Sequence, residues 1–263
     1  MTHEKTIKGL TLKVSPLGEN DRLLTLISNE QGLVRLAVPG ARRPNSSLAG
    51  AIPLSLLELQ IGGRSSLKRV RQIKTLRSFT NVGKYFETLA GAQALTELSQ
   101  MLVAVDEPIP GLLTTLLIHL ERLENLTKAN TFQSLNALAI CIQSILHLLA
   151  LGGYGLPIQK CCVSGLDLNP PLGKWDWRCS LICDEGFAIG PIASAKIQLN
   201  PSELALLQRL LRPELPKCST GDLMGPLKVW LLLLQVVEVW IETHLSKRIT
   251  SLSMMREVFL VND

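Results

Sequence analysis

The spacing of apolar residues changes at Phe79, and this change limits the folds available to the chain. Before Phe79, apolar and polar residues alternate over short runs separated by Gly, Pro, Asn and Ser, which is typical of β-strands. After Phe79, apolar residues recur every three or four positions over long stretches, which is typical of amphipathic helices. The sequence therefore predicts an α+β protein with two units, residues 1–80 and residues 81–263.

Five short runs predict the strands of the first unit. An OB-fold, the five-stranded Greek-key barrel that commonly binds oligonucleotides, fits this number better than a sandwich, which usually needs seven strands or more. The predicted strands are 7–14, 22–28, 33–38, 54–61 and 67–76.

The second unit is predicted to be all-α, interrupted by a small irregular insertion at 157–199 that contains four cysteines, four prolines and two tryptophans. After the insertion, Asn200 is expected to cap a helix that has Pro201 at its first position. The predicted helices are 82–103, 111–126, 132–151, 201–211, 222–245 and 251–259.

Charge is divided unevenly between the two units. Residues 1–80 carry 13 Lys and Arg against 5 Asp and Glu, whereas residues 81–263 carry 14 against 17. A basic first third joined to a mildly acidic remainder predicts a polyanion-binding module attached to a unit with another role. A basic surface without a ligand is the alternative.

The sequence favours a cytoplasmic location. The most apolar run, 229–241, is shorter than the roughly 20 residues that a membrane span needs. Residues 1–13 are polar and alternating, unlike a secretory signal. Six cysteines in a chain of this length do not form a dense disulfide framework, so reduced thiols are expected.

Three motifs in the first unit resemble the opening of the RecO family of recombination mediators. They are Gly18-Glu19-Asn20-Asp21-Arg22, Gly32-Leu33-Val34-Arg35, and Gly40-Ala41-Arg42-Arg43 with Ser46 and Ser47. The resemblance continues through 54–59 and returns at 149–157, where a helix ends in Gly and Pro just before a cysteine.

The resemblance implies an N-terminal OB-fold and a helical domain that often carries a zinc module. It also implies a protein without catalytic activity that binds single- and double-stranded DNA and anneals complementary strands. The implied partners are RecR and the acidic C-terminal tail of the single-stranded-DNA-binding protein SSB, with which the family loads RecA.

The expected DNA-binding residues are cations of the first unit, because neutralised phosphates give affinity that falls steeply with salt. Arg64 and Arg77 belong to the same basic set. The expected contacts are Lys13, Arg22, Arg35, Arg42, Arg43, Lys68, Arg69, Arg71 and Lys74. The Gly/Pro/Ser-rich loop that holds Arg42 and Arg43 is expected to move towards a DNA backbone.

No Phe, Tyr or Trp precedes Phe79. Sequence-tolerant single-strand binders usually stack bases on aromatic side chains, so this barrel is expected to grip phosphates and leave base edges free for annealing.

The insertion carries the candidate metal ligands Cys161, Cys162, Cys179 and Cys183. Structural zinc commonly takes two Cys-x-x-Cys pairs, but Ser164 stands where the second ligand of the first pair would be, and the second pair is spaced one residue too far apart. A structural zinc is one interpretation. The other is a metal-free relic held by Trp175, Trp177, Leu181 and Phe187.

Other motifs favour structural roles. Glu19, Asp21 and Arg22 are read as a turn entering a strand, and 62–66 as a hairpin turn that lacks the Gly-Lys-Ser/Thr ending of a P-loop. The histidines, at 3, 119, 147 and 244, form no catalytic or metal-binding motif.

The long C-terminal helix has two interpretations: it lines a partner-binding groove, or it packs into the hydrophobic core. Its candidate groove residues for the SSB tail are Trp230, Val237, Trp240 and Ile241, and core packing is the favoured interpretation. Two other functions stay open for the chain: a protein-interaction adaptor whose barrel does not touch DNA, and an RNA-binding factor that uses the same barrel.

Overall fold

The computed structural model describes residues 5–63, 67–129 and 131–261. Its N-terminal part is a closed five-stranded barrel with strand order β1-β2-β3-β5-β4, in which β4 pairs back onto β1. The OB-type barrel predicted from the sequence is confirmed. The strands are β1 (Lys5–Leu17), β2 (Asp21–Ser28), β3 (Gly32–Val38), β4 (Ser55–Gly62) and β5 (Lys68–Ser78).

Alternating side chains fill the barrel, because successive residues of a strand point to opposite faces. Its interior contains Leu24, Leu36, Leu57 and Leu59, all buried. Gly9 lies where β1 and β2 approach closely: a Cβ atom there would be 2.6 Å from the carbonyl oxygen of Ile27. Closure depends on a short parallel pairing of β3 with β5, in which Leu36 faces Lys68 and Ala37 faces Arg69.

Among the described residues, six α-helices follow a short 3-10 turn at Thr80–Lys84. The fourth begins with the expected cap, since Asn200 Oδ1 accepts the N–H of Glu203 at 3.0 Å and Pro201 takes the first position. The helices are α1 (Phe86–Leu102), α2 (Leu112–Leu126), α3 (Ser134–Leu151), α4 (Pro201–Arg209), α5 (Leu227–Leu245) and α6 (Thr250–Val261).

Two helices begin several residues later than predicted. The first helix begins at Phe86 and not at residue 82, because the chain first makes the 3-10 turn. The long helix α5 begins at Leu227 and not at residue 222. Gly221 and Gly225 adopt positive φ angles, which lie outside the helical region, so the helix starts only after Pro226.

The segment 157–199 is less irregular than predicted. It contains a three-stranded antiparallel sheet of order β7-β6-β8, made of β6 (Cys179–Ile182), β7 (Gly186–Ile189) and β8 (Gln198–Leu199). Short strands of four and two residues give too little alternation to be recognised in a sequence.

The barrel and the helices share one hydrophobic core. Leu10, Ile27 and Leu33 point outward from the barrel and belong to the same buried cluster as the inner faces of the helices. Helix α3 crosses the middle of this cluster; it is long and apolar enough to span a membrane by length and composition alone, but 67% of it is buried here. One outer face of the barrel is therefore covered, and its other faces stay accessible.

Candidate nucleic-acid interface

Two cations and a hydroxyl form a row across the outer face of the barrel. In register, Lys13 of β1 faces Thr25 of β2, and Thr25 faces Arg35 of β3. Both cations are exposed, while Thr25 is buried between them. The faces of strands 2 and 3 are where OB-folds bind oligonucleotides, so this row presents positive charge at the position that the fold favours for a ligand.

The row opens onto a groove of about 570 Å³ between the barrel and the helices. Gln93, Glu97 and Gln100 line it from one face of α1, and Lys247 also lines it. These four residues are not among the contacts predicted from the sequence. Their spacing on α1 shows that three share a helix face, but nothing in the sequence places that face, or Lys247, opposite β1 and β3.

The family-like motifs near Gly18 and Gly40 lie against each other. Asp21 Oδ1 accepts the N–H of Gly40 at 2.8 Å, and the guanidinium of Arg42 donates to the carbonyl oxygen of Gly18 at 3.1 Å. The backbone N–H of Arg42 also donates to the carbonyl oxygen of Asn20 at 3.0 Å. Three hydrogen bonds thus join this loop to the β1–β2 turn and the start of β2, and its movement towards DNA stays a prediction.

Arg22 has a similar anchoring contact. Its Nη1 donates to the carbonyl oxygen of Ala51 at 3.2 Å, which ties the long β3–β4 connection to β2. Arg43 is exposed beside it. The three arginines of this region form a basic corner at one end of the barrel, in which the side chains of Arg22 and Arg42 are hydrogen-bonded to backbone carbonyl groups.

Strand β5 carries a second group of cations. Arg69 and Arg71 are exposed on either side of buried Val70, as expected for residues that share a strand face. Lys68 Nζ donates to the carbonyl oxygen of Gly63 at 3.1 Å. Lys74 Nζ lies 3.9 Å from Glu58, which Lys8 approaches from the other side at 3.7 Å, so two cations share one carboxylate. Arg64 lies outside the described residues.

Arg77 does not belong with these surface cations. Its Nη2 lies 3.1 Å from Glu121 and 3.4 Å from Glu124, both on α2, and its guanidinium stands 4.5 Å over the ring of Phe79. The hydrogen bond and charge of Glu121 raise the pKa of Arg77, although burial acts in the opposite direction. Arg77 joins the barrel to the helices through these ion pairs, which distinguishes it from the expected DNA contacts.

The four candidate zinc ligands are not brought together. Among the described residues, no group of three or more His, Cys, Asp or Glu side chains is arranged to hold a metal ion. Cys161 and Cys179 are buried, Cys162 is half-buried, and Cys183 is exposed in the turn after β6. This arrangement does not fit a tetrahedral zinc site.

Two backbone N–H groups hydrogen-bond the sulfur of Cys161. Its Sγ accepts the N–H of Ile189 at 3.3 Å and that of Ser164 at 3.4 Å. Burial alone would raise the pKa of the Cys161 thiol, but donation from Ser164 and Ile189 outweighs it and lowers the pKa to about 7. Burial raises the pKa of Cys179 to about 12.

The four residues expected to hold a metal-free insertion differ in their burial. Leu181 and Phe187 are buried in the small sheet, and Trp177 is half-buried. Trp175 is 67% exposed, so it does not contribute to the interior of the insertion as predicted.

The four residues considered for a groove on the C-terminal helix lie in the core. Trp230, Val237, Trp240 and Ile241 are all buried, which confirms core packing. The indole nitrogens donate inward, Trp230 Nε1 to the carbonyl oxygen of Met224 at 3.0 Å and Trp240 Nε1 to that of Tyr154 at 2.8 Å.

Two histidines that looked scattered in the sequence are neighbours in the structure. His119 Nε2 and His147 Nδ1 are 3.1 Å apart, between α2 and α3. His244 packs on Trp240 with ring centroids 3.8 Å apart, and His3 lies outside the described residues.

Comparison with known proteins decides the family. Residues 1–79 match the profile described as "Recombination protein O N terminal", and residues 84–253 match "Recombination protein O C terminal". The chain belongs to the RecO family. The RecO resemblance seen in the three motifs is thereby confirmed, and it covers both units of the chain.

Full-length RecO relatives are similar to this chain from end to end. "DNA repair protein RecO" of Prochlorococcus marinus (strain MIT 9303) is 64% identical over 99% of this chain and 97% of the relative. The protein of the same name from Synechococcus sp. (strain WH7803) is 56% identical over 98% and 95%. That from Cyanothece sp. (strain PCC 7425 / ATCC 29141) is 31% identical over 95% and 94%. RecO membership places this chain in DNA repair and recombination.

Proposed function

We propose that this chain is a recombination mediator without catalytic activity, whose barrel holds the phosphates of single- and double-stranded DNA. The observation that carries the proposal is the exposed pair Lys13 and Arg35 on either side of Thr25, on the OB-fold face that favours nucleic acids. The basic corner at Arg22, Arg42 and Arg43 and the cations of β5 extend the positive surface on the same barrel.

Phosphate binding of this kind suits strand annealing. The barrel sequence contains no aromatic side chain before Phe79 on which a base could stack, so bases of a bound strand stay available for pairing. The helical unit is the docking part for RecR and for the SSB tail, and through them the chain helps to load RecA. Its place is the cytoplasm, at the nucleoid.

The test is fluorescence anisotropy of a labelled single strand at several salt concentrations. The wild type is expected to bind with an affinity that falls steeply as salt rises, and Lys13→Ala/Arg35→Ala is expected to lower both the affinity and the steepness. Lys217→Ala/Lys228→Ala removes the same charge from exposed positions of the helical unit and serves as the control. An annealing assay on the same variants should follow the binding data.

Two other outcomes separate the alternatives. Absence of binding at low salt would favour the protein-interaction adaptor. A phosphate-only reader cannot sense the 2′-hydroxyl, so RNA and DNA of equal length should compete almost equally. A strong preference for RNA would favour the RNA-binding factor.

A further inference from the structure

The groove between the barrel and α1 holds more positive charge than the barrel supplies. Lys13 and Arg35 reach it from β1 and β3, and Lys247 reaches it from the connection between α5 and α6. All three cations are exposed. Glu97 is the acidic residue among the groove-lining residues, so cations outnumber carboxylates there by three to one.

The carboxylate of Glu97 accepts hydrogen bonds from the first residues of α6. One oxygen accepts the N–H of Thr250 at 3.0 Å, and the other accepts the hydroxyl of Ser251. Glu97 therefore caps the N-terminus of α6, where the helix dipole favours a negative charge. Its charge is partly offset by this helix end, which leaves the three cations to set the character of the groove.

The local backbone fixes where Lys247 stands. Ser246 adopts a left-handed conformation, with φ 53° and ψ 29°, which is uncommon for a residue with a side chain and turns the chain sharply after α5. Ile249, two residues after Lys247, is buried, and Glu97 holds the start of α6. Lys247 thus lies in a short turn that is anchored on both sides, where it lines the groove.

We infer that the DNA backbone leaves the barrel face at Lys13 and Arg35 and continues through this groove, where Lys247 contacts a phosphate. The inference rests on the proposed DNA binding and adds the helical unit to the DNA-binding surface. Gln93 and Gln100 line the groove at a spacing of seven residues on one face of α1, and their amide groups suit phosphate and sugar oxygens.

The salt dependence of single-strand binding tests the inference with the full chain. Each phosphate contact contributes about 0.7 to the slope of log affinity against log salt. Lys247→Ala is expected to lower the slope by about 0.7 and the affinity about fivefold near 0.1 M salt, whereas Lys247→Arg should retain both. Lys228→Ala is the matched control, because Lys228 is exposed near the other end of α5, about 25 Å away along the helix.

The outcomes separate this inference from the proposed function. If Lys13→Ala lowers the slope and Lys247→Ala leaves it at the wild-type value, the barrel binds DNA and the path through the groove is wrong. A weaker affinity with an unchanged slope would also overturn it, since Lys247 would then act through packing. Wild-type protein without salt-dependent binding would overturn both. A thermal melt of each variant shows that it is folded.

Discussion

His119 Nε2 lies 3.1 Å from His147 Nδ1, and the partners of the two rings determine where each proton sits. The carbonyl oxygen of Leu210, 3.0 Å from His147 Nε2, can only accept, so that nitrogen carries the proton. His147 Nδ1 must then accept from His119 Nε2, and His119 Nδ1 accepts from Arg122 Nη1 at 3.2 Å. The chain of hydrogen bonds requires both rings to be neutral.

This pair predicts a loss of stability in mild acid. Burial, followed by the charge of Arg122, lowers the pKa of His119 from 6.5 to about 3, and burial also lowers that of His147. Below pH 6.5 the unfolded chain therefore binds protons that the folded chain does not bind. The free energy of unfolding should fall as the pH drops from 6.5 towards 4.5, by up to about 1.4 kcal/mol per pH unit for His119, and the lowered pKa of His147 acts in the same direction.

Urea unfolding at several pH values measures this effect. The variant His119→Gln/His147→Gln should lose less stability than the wild type between pH 6.5 and 4.5. Equal losses in both proteins would show that other groups cause the acid sensitivity.

Removal of the Asp21 carboxylate should loosen the basic corner. Asp21→Ala leaves the N–H of Gly40 without its acceptor, and we expect a loss of about 1 kcal/mol in stability together with weaker DNA binding. Asp21→Asn keeps an acceptor oxygen and should retain most of both. Glu19→Ala changes the same charge at an exposed position of the same turn and is the control in the thermal melts and anisotropy titrations.

Arg77→Ala should separate stability from DNA binding. The substitution removes both ion pairs to α2 and leaves the Glu124 side chain, which is only 5% exposed, with fewer partners. We expect a loss of about 1 kcal/mol in chemical unfolding, allowing for solvent screening, and an unchanged salt slope for DNA. A lower slope would show that Arg77 contacts DNA.

Gly9→Ala tests the close approach of β1 and β2. The new Cβ would meet the backbone of Ile27, which cannot move without disturbing the strand pairing, so we expect a loss of about 1 to 3 kcal/mol. Gly83→Ala is the control, because a Cβ there has open space. Similar melting temperatures for the two variants would contradict the observed packing.

The insertion is expected to be stable without a metal. Cys161→Ala removes the sulfur that accepts two backbone N–H groups and should cost about 1 to 2 kcal/mol, whereas Cys183→Ala, at an exposed position, should cost little. Elemental analysis of the purified protein measures whether zinc is bound. One equivalent of zinc, together with a lower melting temperature after chelation, would contradict it.

The sequence predicts local structure well where a pattern repeats along one element. Alternation places the five strands, and the cap at Asn200 is visible because both partners lie within three residues. The closing pair β3–β5 leaves no such sign, since it joins residues that are 32 positions apart, Leu36 with Lys68 and Ala37 with Arg69.

The same limit applies to the candidate site. Lys13 and Arg35 could be named from charge and family resemblance, but Lys247 comes close to them only after α5 has crossed the helical unit. The ion pairs of Arg77 are equally hidden, because its carboxylate partners follow it by 44 and 47 positions and are not visible beside it in the sequence. A count of cations cannot distinguish a surface contact from a structural ion pair.

The apolar residues Leu10, Ile27 and Leu33, which leave the barrel to join the helical core, have a consequence for how the molecule can be divided. A fragment ending near residue 80 would expose this face to water and would tend to aggregate. The intact chain should melt in a single cooperative transition, because neither part can unfold without uncovering the other. The barrel therefore has the shape of a separate domain, but it is not an independently stable unit.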